Sequence, residues 1–426
     1  MRFKTWAWGL SVASAALLAA CGGGGSDSTA QMRLLNASIG YAALDMAVDS
    51  TTVNSAVAYA GVGAYADVKT NATGTEVQSN NVGSTLVSTT PTLASGSHYS
   101  LIAYGSAGSM QTTLLQEDQD APASGKTKLL VLNLAPDAGA MDVYVTGADD
   151  ALDSASAVAS SIATGSGSGY VTLNSGTFRV RMTAAGGKGD LRLDIPSITL
   201  PSAGVSTLIL TGSTGGVLVN GIQLIQQGAT TNFPNTTARA RLVAAVGGGA
   251  LVSGAIGQTS LLPTSVAPTI GDYATVAAGT ANLTVYVNGQ ALSLANPALA
   301  AGSDYTLMVW GPAASPQFTV LADDNRLPTS PTTNAKIRLV NGVANASTGL
   351  TLNVDYSALA SNVVAGTSST PQTTPASTSS LLTVTSPSST TPVYSLSALQ
   401  IQAGYVYTVF MMGDNTAMVG SLRRER

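Results

Sequence analysis

One imidazole, His98, and one thiol, Cys21, make up the chain's whole stock of the two residue types most used in nucleophilic and acid–base chemistry. A serine hydrolase needs a base beside its nucleophile and a third group to orient that base. No G-x-S-x-G elbow occurs, and His98, in Ser97-His98-Tyr99-Ser100, reads as an outward-facing strand residue. A single cysteine excludes an intramolecular disulfide and a Cys-cluster metal site. That leaves the 22 carboxylates. Two of them facing one cleft at about 5–10 Å would suit glycoside hydrolysis, so an envelope carbohydrate-active hydrolase is the alternative reading. No spacing marks such a pair, and a one-site enzyme gains little from repeating a whole domain. Two acidic runs, Glu117-Asp118-Gln119-Asp120 and Asp323-Asp324-Asn325, offer hard oxygens of the kind calcium takes six to eight of. Glu117, Asp118, Asp120, Asp323 and Asp324 are therefore weak calcium candidates. Neither run has the ordered ligand spacing of a known loop, and a solvated linker is the favoured reading. Gly165 to Gly169 is no phosphate loop, because no Lys follows and no helix begins. The set Arg179, Arg181 and Arg192 is expected on the surface near Asp194. Neither an enzyme activity nor a cofactor is expected.

Composition sets the frame for those side chains. Only 9% of residues are charged, against about 25% in ordinary soluble domains. Hydrophobic residues make up 45%, enough for packed cores. A sequence pI near 4.9 argues against nucleic acid, whose phosphates need a basic stripe. Arg2 and Lys4 precede an apolar stretch, Trp6 to Ala20, that ends in Leu18-Ala19-Ala20-Cys21. A basic start, a short apolar run and small residues before the cut make a secretory signal, too short for a permanent span of about 20 residues. Leu18, Ala19, Ala20 and Cys21 resemble a bacterial lipoprotein lipobox. The resemblance implies cleavage before Cys21 and acylation there, palmitate included. Gly22 after the cysteine, by the same resemblance, directs the chain to the outer membrane rather than to inner-membrane retention. The membrane is thus an expected partner through the lipid, and an envelope protein or glycan is an expected second partner.

The elements that carry these residues repeat. An apolar run recurs as Arg33-Leu34-Leu35-Asn36, Leu130-Val131-Leu132-Asn133, Arg241-Leu242-Val243-Ala244 and Arg338-Leu339-Val340-Asn341. Its last residues stand 97, 111 and 97 positions apart. A second run closes each unit: residues 96–105, 204–212, 302–311 and 404–413. Three of these place a Tyr three residues after the first Gly (Tyr99, Tyr305 and Tyr407), with Thr207 in the second unit. Each unit is near 100 residues, the size of an immunoglobulin-like sandwich. Strict alternation puts Phe178, Val180, Met182, Leu191, Leu193 and Ile195 on one strand face, with residues 184–189 as the hairpin between. The Ser/Thr/Pro-rich run 366–392 lies inside the constant landmark spacing. It must therefore supply strands, at Leu381–Val384 and Val393–Leu396.

A family resemblance rests on the second unit. Leu129 to Leu134, followed by Ala135-Pro136-Asp137-Ala138-Gly139-Ala140-Met141-Asp142-Val143-Tyr144-Val145, resembles the bacterial envelope module named domain of unknown function 4397. The run Gly-Thr-Phe-Arg-Val-Arg from Gly176 does so too. The first unit keeps Leu44-Asp45-Met46-Ala47-Val48, whereas the third and fourth lack the Asp. The resemblance implies immunoglobulin-like β-sandwiches and assigns no molecular role.

These readings combine into an all-β tandem array of four immunoglobulin-like β-sandwich domains after a cleaved lipoprotein signal peptide. The expected division is 1–20 signal peptide, 21–31 lipidated cysteine and Gly/Ser tether, then repeats at 32–120, 121–232, 233–330 and 331–426. Pro-bearing joints near Pro122, Pro234 and Pro328 to Pro331 predict a string of units with few contacts between them. The expected function is a non-enzymatic binding or spacer lipoprotein of the cell envelope, lipid-anchored in the outer membrane.

Overall fold

The computed structural model describes residues 28–328 and 333–426. Leu18, Ala19, Ala20 and Cys21 lie outside the described residues, as do most of the tether and part of the last Pro-bearing joint. Among the described residues every regular element is a strand.

The two recurring runs are hydrogen-bonded neighbours. Thr29–Ala37 pairs in parallel with His98–Tyr104, Lys126–Leu134 with Gly204–Thr211, Thr237–Ala244 with Asp304–Trp310, and Asn334–Asn341 with Val406–Asp414. Each parallel pair sits at the centre of a sheet, and a second, antiparallel sheet faces it. In the first unit that second sheet runs Thr51–Ala58, Ala43–Val48, Thr75–Ser79, Thr85–Thr89. Among the described residues four such two-layered packings follow one another, each with its own apolar core. Strands that return parallel to their first partner must cross to the other layer in between. This long crossover explains why the two landmarks lie some 60 to 75 residues apart at nearly constant spacing.

Three buried side chains recur for structural reasons. Asn36 donates its amide to the carbonyls of Tyr41 and Val57, and accepts from the Ser38 N–H. Asn133 bonds Gly139, Ile162 and Ala135 in the same way, and Asn341 bonds Val363 and Val343. Each amide ties the first strand to the facing sheet beside a residue with positive φ: Ala56, Ser161 or Asn362. Asp45 and Asp142 accept the N–H of Ala56 and Ser161 at those same points, at 2.6 and 2.7 Å. The Asp of the family motif thus holds a bulge. The hydroxyls of Tyr99, Tyr305 and Tyr407 accept the N–H five residues upstream, at 2.9–3.2 Å, an arrangement like the tyrosine corner of immunoglobulin sandwiches.

Several expectations are corrected here. The parallel register places Ser206, not Thr207, at the tyrosine position of the second unit; Thr207 aligns with Ser100, Thr306 and Thr408. Arg179 does pair with Asp194, at 2.5 Å, but Arg181 and Arg192 are buried rather than on the surface. For Arg181 the reason is a loop, residues 147–158, laid over that sheet; Arg192 is covered instead by the segment around Val217, whose carbonyl it bonds. Arg181 donates to the Thr146 hydroxyl and the Asp150 carbonyl, and Lys188 to the carbonyls of Asp153 and Ala155. Alternation holds for Val180, Met182, Leu193 and Ile195, all in the second core with Phe178 packed against it, but Leu191 pairs with Thr183 across a register shift and falls outside that core. The Ser/Thr-rich run forms Ser377–Thr385 and Tyr394–Ile401, paired antiparallel as its spacing requires.

The string of separate units is the largest correction. The outer faces of the parallel sheets are themselves apolar and pack against each other. Leu35, Ile102, Tyr104 and Leu115 of the first unit bury against Leu130, Leu134, Ile209 and Leu224 of the second. Val243, Met308 and Leu321 of the third bury against Val340, Phe410 and Met412 of the fourth. At about 1.5–3 kcal/mol for each fully buried large side chain, these seams are strong enough to fix the pairs.

Candidate functional site

Several of the buried charged residues, Arg33, Glu117, Arg241, Asp323 and Arg338 among them, gather at the seams. The position just before the apolar landmark is Arg33, Arg241 and Arg338 in three units and Leu130 in the second. Each arginine donates its Nε to the hydroxyl across the parallel pair: Ser100 at 3.0 Å, Thr306 at 2.9 Å and Thr408 at 3.1 Å. The strand paired antiparallel to the closing run delivers a partner opposite, at its last residue or just past it: Glu117, Gln226, Asp323 and Glu425.

In the first pair of units, Glu117 is 2% exposed and takes Arg33 at 2.8 Å. It also accepts from the Tyr65 hydroxyl at 2.9 Å, from the Ser100 hydroxyl, and from the Gln227 N–H of the second unit at 2.6 Å. Arg33 reaches across to the Gly228 carbonyl and stacks on Tyr65, 4.3 Å from its ring centre. Burial, then the Glu117 charge, pushes the Tyr65 phenol up. Asp118 accepts the backbone N–H and the ring of His98, each at 2.9 Å. Partial burial opposes its charge, yet these bonds hold it below the ordinary carboxylate value. Asp120 is exposed, and its carbonyl accepts Lys128.

The third and fourth units exchange partners. Arg241 of the third grips Glu425 of the fourth at 2.7 and 2.8 Å, while Arg338 of the fourth meets Asp323 of the third at 2.7 Å. Asp323 also accepts from Thr306 at 2.6 Å and Tyr273 at 2.5 Å. Burial raises it, but Arg338 and Arg241 outweigh burial and hold it below its ordinary value. Tyr273 lies against Arg241 and Arg239, and burial drives its phenol well up. The second unit has lost both charges together. Leu130 packs in the apolar seam, and Gln226 instead exchanges amide bonds with the Gln119 backbone.

A cleft of about 330 Å³ opens where the units meet, lined by Gln111, Asp137, Asp324, Arg326 and Lys336 among others. Asp324 is bound by Arg326 at 2.8 Å and Lys336 at 3.1 Å. Burial works against its charge, but these cations bring it down to about 2. Asp137 accepts the Leu327 N–H at 2.7 Å, and burial raises it. The weak calcium candidates are therefore dispersed over two seams and this cleft. Glu117, Asp323 and Asp324 each face protein cations. Among the described residues no group of three or more metal-ligating side chains converges. The arginine positions stand in the landmarks, yet the acids of Arg33 and Arg241 lie 84 and 184 residues away, and Arg338 meets Asp323 from the preceding unit across the Pro-bearing joint, so no local signal links them.

A fold of repeated two-layered β-packings, joined through buried arginine–acid seams, places the chain among the all-β repeat proteins. The family whose description is domain of unknown function (DUF4397) matches residues 30–144 and 252–348, and over those stretches the chain belongs to it. The match stops at Tyr144, short of the run that begins at Gly176. Among solved structures, the chain is similar to a candidate cell adhesion protein from Bacteroides uniformis, at 13% identity, over 48% of this chain and 99% of that one, TM-score 0.21. It is also similar to one from Parabacteroides distasonis, at 10% identity, over 71% and 99%, TM-score 0.18. No curated protein matches the chain.

Proposed function

We propose that the chain is an envelope lipoprotein, held in the outer membrane by acylated Cys21, whose repeats form a non-enzymatic binding module. The repeats divide at 32–120, 121–232, 233–330 and 331–426, each an immunoglobulin-like sandwich. The observation that carries this reading is the use of the recurring buried residues. The Asn, Tyr, Arg and acidic side chains that repeat from unit to unit are spent on joining strands and units. Loops and edge strands are left for recognition. Packed seams favour binding over spacing, because a spacer gains reach only when its units are strung out. Two measurements test it. Cys21→Ser should move the protein out of the membrane fraction, and persistence with outer membrane would refute the anchor. Pull-down from envelope extracts, with glycan and peptidoglycan panels, should recover a specific partner.

The hydrolase reading has one observation in its favour: Asp137 and Asp324 line the same cleft with opposite shifts, the usual division between acid and base. Against it, Asp324 is neutralised by two cations, which makes it a poor base. Release of reducing sugar from envelope glycans, abolished by Asp137→Asn, would replace the binding reading with this one.

A further inference from the structure

The fourth unit carries an open trough of about 460 Å³ between two sheet edges, Ser357–Val363 on one side and Thr367 to Gln372 on the other. None of its lining residues is charged. Thr367 and Ser369 are tied to the backbone of Val364 and Leu339, and the trough's remaining polar groups are the hydroxyls and amides of Ser361, Asn362, Ser368, Thr370 and Gln372. The two sides join at Gly366, whose φ is +79°; a Cβ there would lie 2.3 Å from the Trp310 indole of the third unit. The seam between units thus fixes the end of the trough.

At the start of the same edge strand stands a residue that neither packing nor turn chemistry explains. Val354 and Ser357 close a two-residue hairpin whose central residues, Asp355 and Tyr356, have φ of 47° and 67°. Such turns select Asn-Gly, and a bulky residue at positive φ is strained. The matching hairpin of the first unit uses Asp49-Ser50, and that of the third Gly257-Gln258. Tyr356 buries nothing in return, being 89% exposed. At about 3.3 Å per residue its backbone lies roughly 10 Å along the strand from that of Leu359, where the trough begins.

We propose that this edge of the fourth unit binds a neutral oligosaccharide, with Tyr356 stacking on one sugar ring and the trough bonding the hydroxyls of the next. Hydroxyls and amides both donate and accept, as sugar hydroxyls require, and an uncharged lining excludes ionic ligands as the preferred class. An added peptide strand fits less well. The edge has register shifts against its neighbour and a positive φ at Asn362, irregularities that blunt strand addition. The inference rests on the binding reading above and supplies its ligand class.

The test uses the full chain in a sugar-free detergent, titrated calorimetrically with hexamers of β-1,4-linked glucose and of N-acetylglucosamine. An acidic oligogalacturonate and an uncharged Ser/Thr peptide serve as controls. One neutral hexamer should bind with a Kd under about 1 mM, insensitive to salt because no charge is involved. Tyr356→Gly should weaken binding at least tenfold without lowering the unfolding midpoint, since it relieves a strained turn. Ser368→Glu should abolish binding. Failure of both hexamers to bind, preference for either control, or unchanged binding by Tyr356→Gly overturns the proposal. A protein partner captured equally by wild type and Tyr356→Gly would sink the glycan site and leave the wider binding reading standing.

Discussion

Replacing Arg241 by Leu should be among the most damaging single changes in the chain, and adding Glu425→Gln should repair most of the damage. The Arg241 and Glu425 side chains are 3% and 4% exposed, joined by two bonds at 2.7 and 2.8 Å. Arg241 also bonds Thr306 and lies 4.3 and 4.9 Å from the ring centres of Tyr273 and Phe410. Its loss strands Glu425 in the seam, and an uncompensated buried charge costs about 3–5 kcal/mol. The double variant reproduces the second unit, where Leu130 and Gln226 occupy these positions. Replacing a buried pair by neutral groups of similar volume is often neutral or better, and Asp323, 3.9 Å from Arg241, keeps the nearer Arg338 at 2.7 Å, so the double should fall within about 1 kcal/mol of wild type. The coupling between the sites is then at least about 2 kcal/mol, at the upper end of such cycles. Urea unfolding followed by tryptophan fluorescence reads this seam directly. Trp310 is the single tryptophan after residue 20, and it bonds Thr319 and packs on Gly366. An Arg241→Leu cost below about 1 kcal/mol, or a double variant as unstable as the two singles summed, would refute the reasoning.

The strands and their repetition were legible because both report local chemistry. Alternation in 178–182 and 191–195 gave a sheet face, and the Asn and Tyr landmarks recur because each closes bonds within a few residues or across one layer. The packing of units was legible too, in a signal given the wrong weight. Leu34-Leu35, Leu130-Val131-Leu132, Leu242-Val243 and Leu339-Val340 do not alternate, and unbroken apolar runs mark strands buried on both faces. The second face had to be covered, and the neighbouring unit covers it. The long-range polar contacts were not legible, because Arg241 and Glu425 are 184 residues apart and Asp137 meets the Leu327 N–H across 190. Arg181 and Arg192 read as surface charge because their strands alternate correctly. Only the segments folded over them, residues 147–158 over Arg181 and the stretch around Val217 over Arg192, make that face an interior.

The tyrosine corners predict that Tyr305→Phe or Tyr407→Phe costs about 1 kcal/mol, measured by urea unfolding; no change would mean the upstream N–H finds water as easily. Asn341→Ala removes the bonds to Val363 and Val343 at a fully buried site and should cost about 2–3 kcal/mol. A loss under about 0.5 kcal/mol would show the inter-sheet tie to be dispensable. Acid titration should reveal two carboxylates of opposite sign. Asp324, held at about 2, contributes stability that is fully present above the unfolded value near 3.8 and fades as pH falls towards 2. Asp137 runs the other way. Its folded value is raised by burial, so its charge at neutral pH costs stability, and protonation returns that stability as pH falls through the raised value. Asp137→Asn keeps an oxygen for the Leu327 N–H while removing the charge. The variant should therefore melt at or above the wild-type temperature at pH 7, with the advantage vanishing below the ordinary Asp value, where both side chains are neutral. Melting curves at the two pH values decide it: a variant that melts lower at pH 7 would mean the Asp137 charge is stabilised by Arg426, Arg326 and Lys336 more than burial opposes it.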